Sequence, residues 1–164
     1  MSPAMCYGHS YNCTTIINVW YSTLVERVVK RIAHMLTPDQ FRVNEVWIAI
    51  RVNESFLFVK DEPYDIYVLI DAASAYVLGH VFSRVVDEAP LESDVEDLFK
   101  QAWGSKNQWA EQLIVAENSK AADVFRTQAE KIGLSLRIVS LSELEPIVGP
   151  LKESFASDFM GNVT

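Results

Sequence analysis

The chain has 164 residues, of which 49% are hydrophobic and 22% charged. These proportions fit one globular domain and exclude a disordered, collagen-like or disulfide-stapled chain. A chain of this length removes roughly 70% of its unfolded surface from water, so it folds without disulfides or a structural metal. The formal charge is −8, concentrated in residues 61–120, where four Lys/Arg face twelve Asp/Glu. Residues 1–60 hold six Lys/Arg against four acids. Binding to a phosphate backbone draws its affinity from clustered cations that release condensed counterions. The charge balance therefore disfavours nucleic acid as a partner. The one basic stripe, Arg27, Lys30 and Arg31, reads as the solvated face of a helix.

The N-terminus, MSPAMCYGHS, lacks the basic start and apolar run of a secretory signal. No apolar run reaches the ~18 residues of a membrane span. The expectation is a cytoplasmic protein without membrane association, whose Cys6 and Cys13 stay reduced. The glycosylation sequons at Asn12, Asn53 and Asn162 carry no meaning there. Cys6, His9 and Cys13 offer sulfur and nitrogen ligands, with His34 or His80 as a fourth. Their spacing fits no zinc template, so they read as ordinary thiols and imidazoles.

In chain order, residues 1–20 show no period and read as an arm. Thr23 and Glu26 form a capping box, and Leu24, Val25, Val28, Ile32 and Met35 recur at helical spacing. The spacing predicts a helix over 23–36, ended by Thr37-Pro38. Val46, Ile48, Ile50 and Val52 alternate as a strand, flanked or extended by Phe56–Val59. After a turn at Lys60–Pro63, Ile66–Ile70 is wholly apolar, as expected of a strand buried on both faces. Asp71–Ser74 is a tight connection, and Tyr76–Phe82 returns as a hairpin partner. Ser93 and Glu96 cap a helix with the stripe Val95, Leu98, Phe99, Ala102 and Trp103, stopped by Gly104. Leu113–Ala116 is a short strand. Ser119 caps a helix that ends at Gly133, and Leu134–Val139 is a further strand. Ser142 and Glu145 suggest another capping box. Pro146 and Pro150 should break that segment, leaving one turn and then a helix near 150–158.

Three strands in a meander followed by alternating helices and strands imply parallel crossovers onto the meander. The expected product is an α/β mixed five-stranded sheet with helices on both faces and an N-terminal helix before it. Residues 1–40 form the arm and helix, and residues 41–164 the domain. That order resembles the ribonuclease H-like fold, and the local sequence is similar to integrase and transposase catalytic cores. The matching stretches are Val46-Trp47, the run Tyr67–Gly79 (YVLIDAASAYVLG), Ile114–Ser119 and Gly133-Leu134. The chain is also similar to bacterial domains that share the Asp-x-x-Ser-x-x-apolar-Gly signature. The resemblance covers about residues 45–158.

The resemblance implies a pair of divalent ions held by carboxylates, with the first acid three residues after the strand Trp. Here that position is Ile50, followed by Arg51. Hard cations need carboxylate oxygens, and one acid must bridge the two metals. The remaining candidates are Asp71, Glu117 and Glu153, with Glu145 as an alternative third acid. The expectation is a pseudoenzyme: a non-catalytic domain that acts as a binding or protein-interaction module and takes no cofactor. Its partner would be a protein or a second copy of the chain. Two alternatives stand beside it. One is a nuclease with rearranged carboxylates at Asp71, Glu117 and Glu153, using Mg or Mn. The other is a self-associating structural domain, pairing through an exposed edge at Tyr76, Leu78 and Phe82. Glu92, Asp94, Glu96 and Asp97 suit the positive end of a helix dipole. Trp103 and Trp109 read as a cover for the sheet edge. No G-x-S-x-G, dinucleotide fingerprint, P-loop or H-E-x-x-H is present.

Overall fold

The computed structural model describes residues 23–30 and 34–160. The chain divides into two compact units, residues 1–34 and 35–164. In the first, residues 23–30 are helical and form α1. Cys6, His9 and Cys13 lie outside the described residues. The helix expected to run to 36 does not: residue 34 is a turn and 35–37 are irregular. Leu36 is buried, and its N–H donates to the Glu143 carbonyl at 2.8 Å, so a tertiary contact takes the backbone group a helix would use.

The second unit holds β1 Val46–Arg51, β2 Leu57–Val59, β3 Glu62–Asp71, β4 Val77–Arg84, α2 Glu92–Lys106, β5 Gln112–Ala116, α3 Ala122–Ile132, β6 Ser135–Val139 and α4 Leu141–Met160. The sheet has six strands rather than the expected five, because the Phe56–Val59 run makes its own short strand. Lys60 and Asp61 both take left-handed φ values, 51° and 66°, which closes a two-residue hairpin. The turn is thereby tighter than expected, and Pro63 enters β3 opposite Phe58. Pairing with β4 begins only at Tyr64, so the missing N–H of Pro63 interrupts no ladder on that side.

Tyr64 pairs with Leu57 of β2 and with Arg84 of β4, which puts those strands on opposite sides of β3. The sheet order is therefore β4-β3-β1-β5-β6, with β2 beside the start of β3. β1, β3 and β4 are antiparallel neighbours, while β1, β5 and β6 run parallel. The fold is ribonuclease H-like.

Alternation along β1 decides the two cores. Trp47 and Ala49 join Tyr67, Leu69, Leu113 and Val115 under α2 and α3. Ile48 and Ile50 join Ile66, Val68, Ile70 and Ile114 under Leu144, Ile147 and Val148 of α4. Helices thus cover both faces. At Gly79 the helix α2 comes so close that a Cβ would lie 2.6 Å from Leu98 Cδ1. Leu78 is buried under α2, so the free edge of β4 exposes Tyr76 and Phe82 but not Leu78.

Several helix ends depart from expectation. α2 starts at Glu92 with no side-chain cap, runs through Gly104, and stops at Asn107, which takes the left-handed φ of 52°. The Ser119 side chain does not cap α3, which opens at Ala122, whereas Gly133 ends it as expected. α4 is continuous from Leu141 and includes Pro146 and Pro150. Its cap is Ser140 with Glu143, not Ser142 with Glu145: the Glu143 carboxylate accepts from the Ser140 N–H and hydroxyl, both at 2.8 Å.

Candidate functional site

β1 connects onward toward β3 on one side, and β5 toward β6 on the other. Ligands of open α/β sheets sit in the crevice at such a switch, outside the carboxyl ends of the strands. A cleft of about 240 Å³ lies there. Its walls are Ile50 and Arg51 from the end of β1, Ala116 through Lys120 after β5, Tyr67 from β3, and Leu141 and Lys152 from α4. The cleft thus contains Arg51, Lys120 and Lys152 against one carboxylate, Glu117.

Arg51 reaches back to Asp65, Nη1 to Oδ1 at 3.2 Å, with the Asp65 side chain only 6% exposed. Among the described residues, Glu117, Lys120 and Lys152 form no ion pair or side-chain hydrogen bond. Burial pushes the Tyr67 phenol above its ordinary value; the Asp65 charge adds to that and Arg51 opposes it. The tyrosine is therefore a neutral hydroxyl at physiological pH.

Of the three acids named from sequence, only Glu117 lines this cleft. Asp71 pairs with Trp47 at the other end of β1, whereas Glu117, two residues past the Val115–Ala49 pair, comes level with Arg51. About 13 Å of strand separates the two levels. Asp71 is buried and fully engaged. Oδ1 accepts the Asn44 N–H at 2.6 Å, and Oδ2 accepts the Ser74 N–H at 3.0 Å and its hydroxyl at 2.6 Å. Asn44 in turn accepts the Trp47 indole N–H at 2.9 Å. A second cleft, of about 410 Å³, adjoins this network and is lined by Asn44, Asp71, Ser74, Tyr76 and Lys106, among others. Glu153 is exposed on α4. At 100° per residue it lies about 180° from the Leu144, Ile147, Leu151 and Phe155 stripe that packs on the sheet. Glu145 is exposed too, with its carboxylate against Gly149. Among the described residues, no group of three His, Cys, Asp or Glu is arranged to hold a metal ion.

Sequence reading singled out Ile50, Arg51 and Glu117 but missed Lys120 and Lys152. The helical phase of α4 carries the signal for Lys152: it follows the buried Val148 by four residues and so flanks the packed stripe. The chain gives no comparable sign for Lys120.

The other marked features make contacts within the domain. Glu96 pairs with Lys100 at 2.8 Å, and Glu92 with Lys131 at 3.7 Å, tying α2 to α3. The Lys100 hydrogen bond holds the Glu96 carboxyl below its ordinary value. Trp109 packs on Trp47 and Trp103, with ring centres 6.0 and 6.2 Å apart. His34 and His80 are exposed, and His80 stands edge-on to Phe82 at 5.3 Å.

No family model and no curated protein matches the chain. Solved integrase structures do. One is the simian T-cell lymphotropic virus intasome in complex with PP2A regulatory subunit B56 gamma, at TM-score 0.47 and 15% identity. The match covers 73% of this chain and 42% of that one, so the chain spans less than half of its length. Two others are the HTLV-2 integrase catalytic core domain in complex with magnesium, in dimeric and trimeric forms. Both have TM-score 0.43, with 13% and 14% identity over 74% of this chain and 78% and 76% of theirs. The likeness is one of fold. Among the described residues no helix is long and apolar enough to cross a membrane.

Proposed function

We propose that this domain is a non-catalytic binding module on a ribonuclease H-like fold. One observation carries the reading: the strand-end cleft presents Ile50, Arg51, Lys120 and Lys152 around a single carboxylate. Two hard cations about 4 Å apart need several oxygen ligands and a bridging acid. The residues present do not fit that pair. Arg51 and the two lysines would repel divalent ions, and Glu117 alone offers one ligand. Asp71 spends both oxygens on backbone and hydroxyl donors, and Glu153 faces away from the sheet.

Calorimetric titration with Mg²⁺ and Mn²⁺, run beside cleavage assays on DNA and RNA, tests the reading. The expected outcome is no stoichiometric metal binding and no metal-dependent cleavage. Stoichiometric binding that disappears in Glu117→Gln would defeat it.

A further inference from the structure

We infer that the strand-end cleft binds a small phosphorylated molecule, held by Arg51, Lys120 and Lys152. The inference rests on the non-catalytic reading of the same cleft. Three cations that are remote in sequence come from three elements: the end of β1, the loop before α3, and α4. Acids outnumber bases in the chain by 22 to 14, so a lysine in this protein has carboxylates to spare as partners. Lys120 and Lys152 nevertheless form no ion pair among the described residues. Two unpaired lysines in one crevice repel each other, and an anion between them relieves that repulsion.

The remaining lining fits a phosphate ester. Ser119 brings a hydroxyl. α3 opens at Ala122, two residues after Lys120, so its positive end lies beside the cleft. Ile50, Ala116 and Leu141 give an apolar wall for the body of the ligand. The volume, about 240 Å³, equals that of roughly eight waters, which suits a small ester rather than a polymer. The net charge of −8 also opposes a nucleic acid, whose backbone would have to approach an acidic surface. Asp65 already pairs with Arg51 from outside the lining, and Glu117 is the one carboxylate within it, so neutralising Glu117 should strengthen anion binding.

The test is an NMR titration of the full chain with inorganic phosphate at constant ionic strength. A parallel arm uses a DNA duplex. Saturable shifts are expected at Arg51 and at residues 117–122, with a dissociation constant of about 1 mM or tighter. Lys120→Gln and Lys152→Gln should each weaken binding about tenfold, and Glu117→Gln should tighten it. Non-saturating shifts, or lysine variants that bind phosphate as tightly as the parent chain, would overturn the site. A duplex bound far more tightly than phosphate would overturn the small-ligand assignment. Mn²⁺ titrated into the same sample separates the two readings. Manganese bound at Glu117 sinks both. A chain that binds neither manganese nor phosphate loses only the anion site.

Discussion

Asp71 shows how one side chain can look like chemistry and act as architecture. It ends an apolar strand and precedes a small-residue turn, the place where a fold of this kind can show an acid. Its two oxygens instead accept three hydrogen bonds that close the Asp71–Ser74 turn and fix Asn44, which orients Trp47. Asn44 takes the left-handed φ of 62°, and the Asp71 carboxylate is what holds its N–H in place. Asp71→Ala leaves a buried N–H without an acceptor and frees the turn, so it should cost about 3 kcal/mol. Ser74→Ala removes only the hydroxyl donor and should cost about 1 kcal/mol. Urea denaturation of the two variants checks the ranking. Equal losses would mean that the carboxylate does not organise the turn.

At the scale of elements, sequence pattern gave the kinds of segment and their order but not their ends. The apolar runs at Val46–Arg51, Ile66–Ile70 and Leu113–Ala116 were legible because burial on a sheet demands them. β2 was harder to see: its three residues are half-buried or exposed, so no core pattern marks them. Caps failed where several Ser/Glu pairs at the right spacing compete and only tertiary placement chooses, as at Ser140 over Ser142. The prolines of α4 misled because local propensity was weighed without the face that Leu144, Ile147 and Val148 bury. Burial of that face outweighs the lost backbone bonds. Pro150 is exposed, so its ring contributes little to the core. Pro150→Ala restores a helical hydrogen bond, a gain of up to about 3 kcal/mol set against about 1 kcal/mol from a freer unfolded chain. The net expectation is a stabilisation of about 2 kcal/mol, read from the urea midpoint. Destabilisation would show that the ring packs against something in the native state.

For the whole molecule, the strand order was legible because short connections leave few ways to close such a sheet. The cleft was legible only in part. Ile50, Arg51 and Glu117 sit at strand ends that the sequence marks, whereas Lys120 and Lys152 meet them only through the fold. The cleft enters the pH dependence of stability through Tyr67, beside two carboxylates that lie outside it. Glu45 and Glu96 have carboxyls held below their ordinary 4.5 in the folded chain. A hydrogen bond from the Arg42 backbone is the main cause for Glu45, and one from the Lys100 side chain for Glu96. Their contribution is complete above that value and disappears as pH falls through the lowered one. The Glu45 side chain keeps 28% of its surface exposed and that of Glu96 51%, so solvent screening keeps this acid limb shallow. Tyr67 behaves in the opposite sense. Burial raises its phenol above the ordinary 10.0, so the unfolded chain gives up the proton first. Its contribution is complete below pH 10 and is lost as pH climbs through the raised value. Stability owed to these three groups should therefore be flat from about pH 5 to about pH 10 and fall on both sides. Tyr67→Phe has no proton to lose, so its urea midpoint should decline less steeply above pH 10 than that of the parent chain. Identical alkaline slopes would mean that Tyr67 ionises in the native state as readily as in the unfolded one, and that the floor of the cleft is open to water.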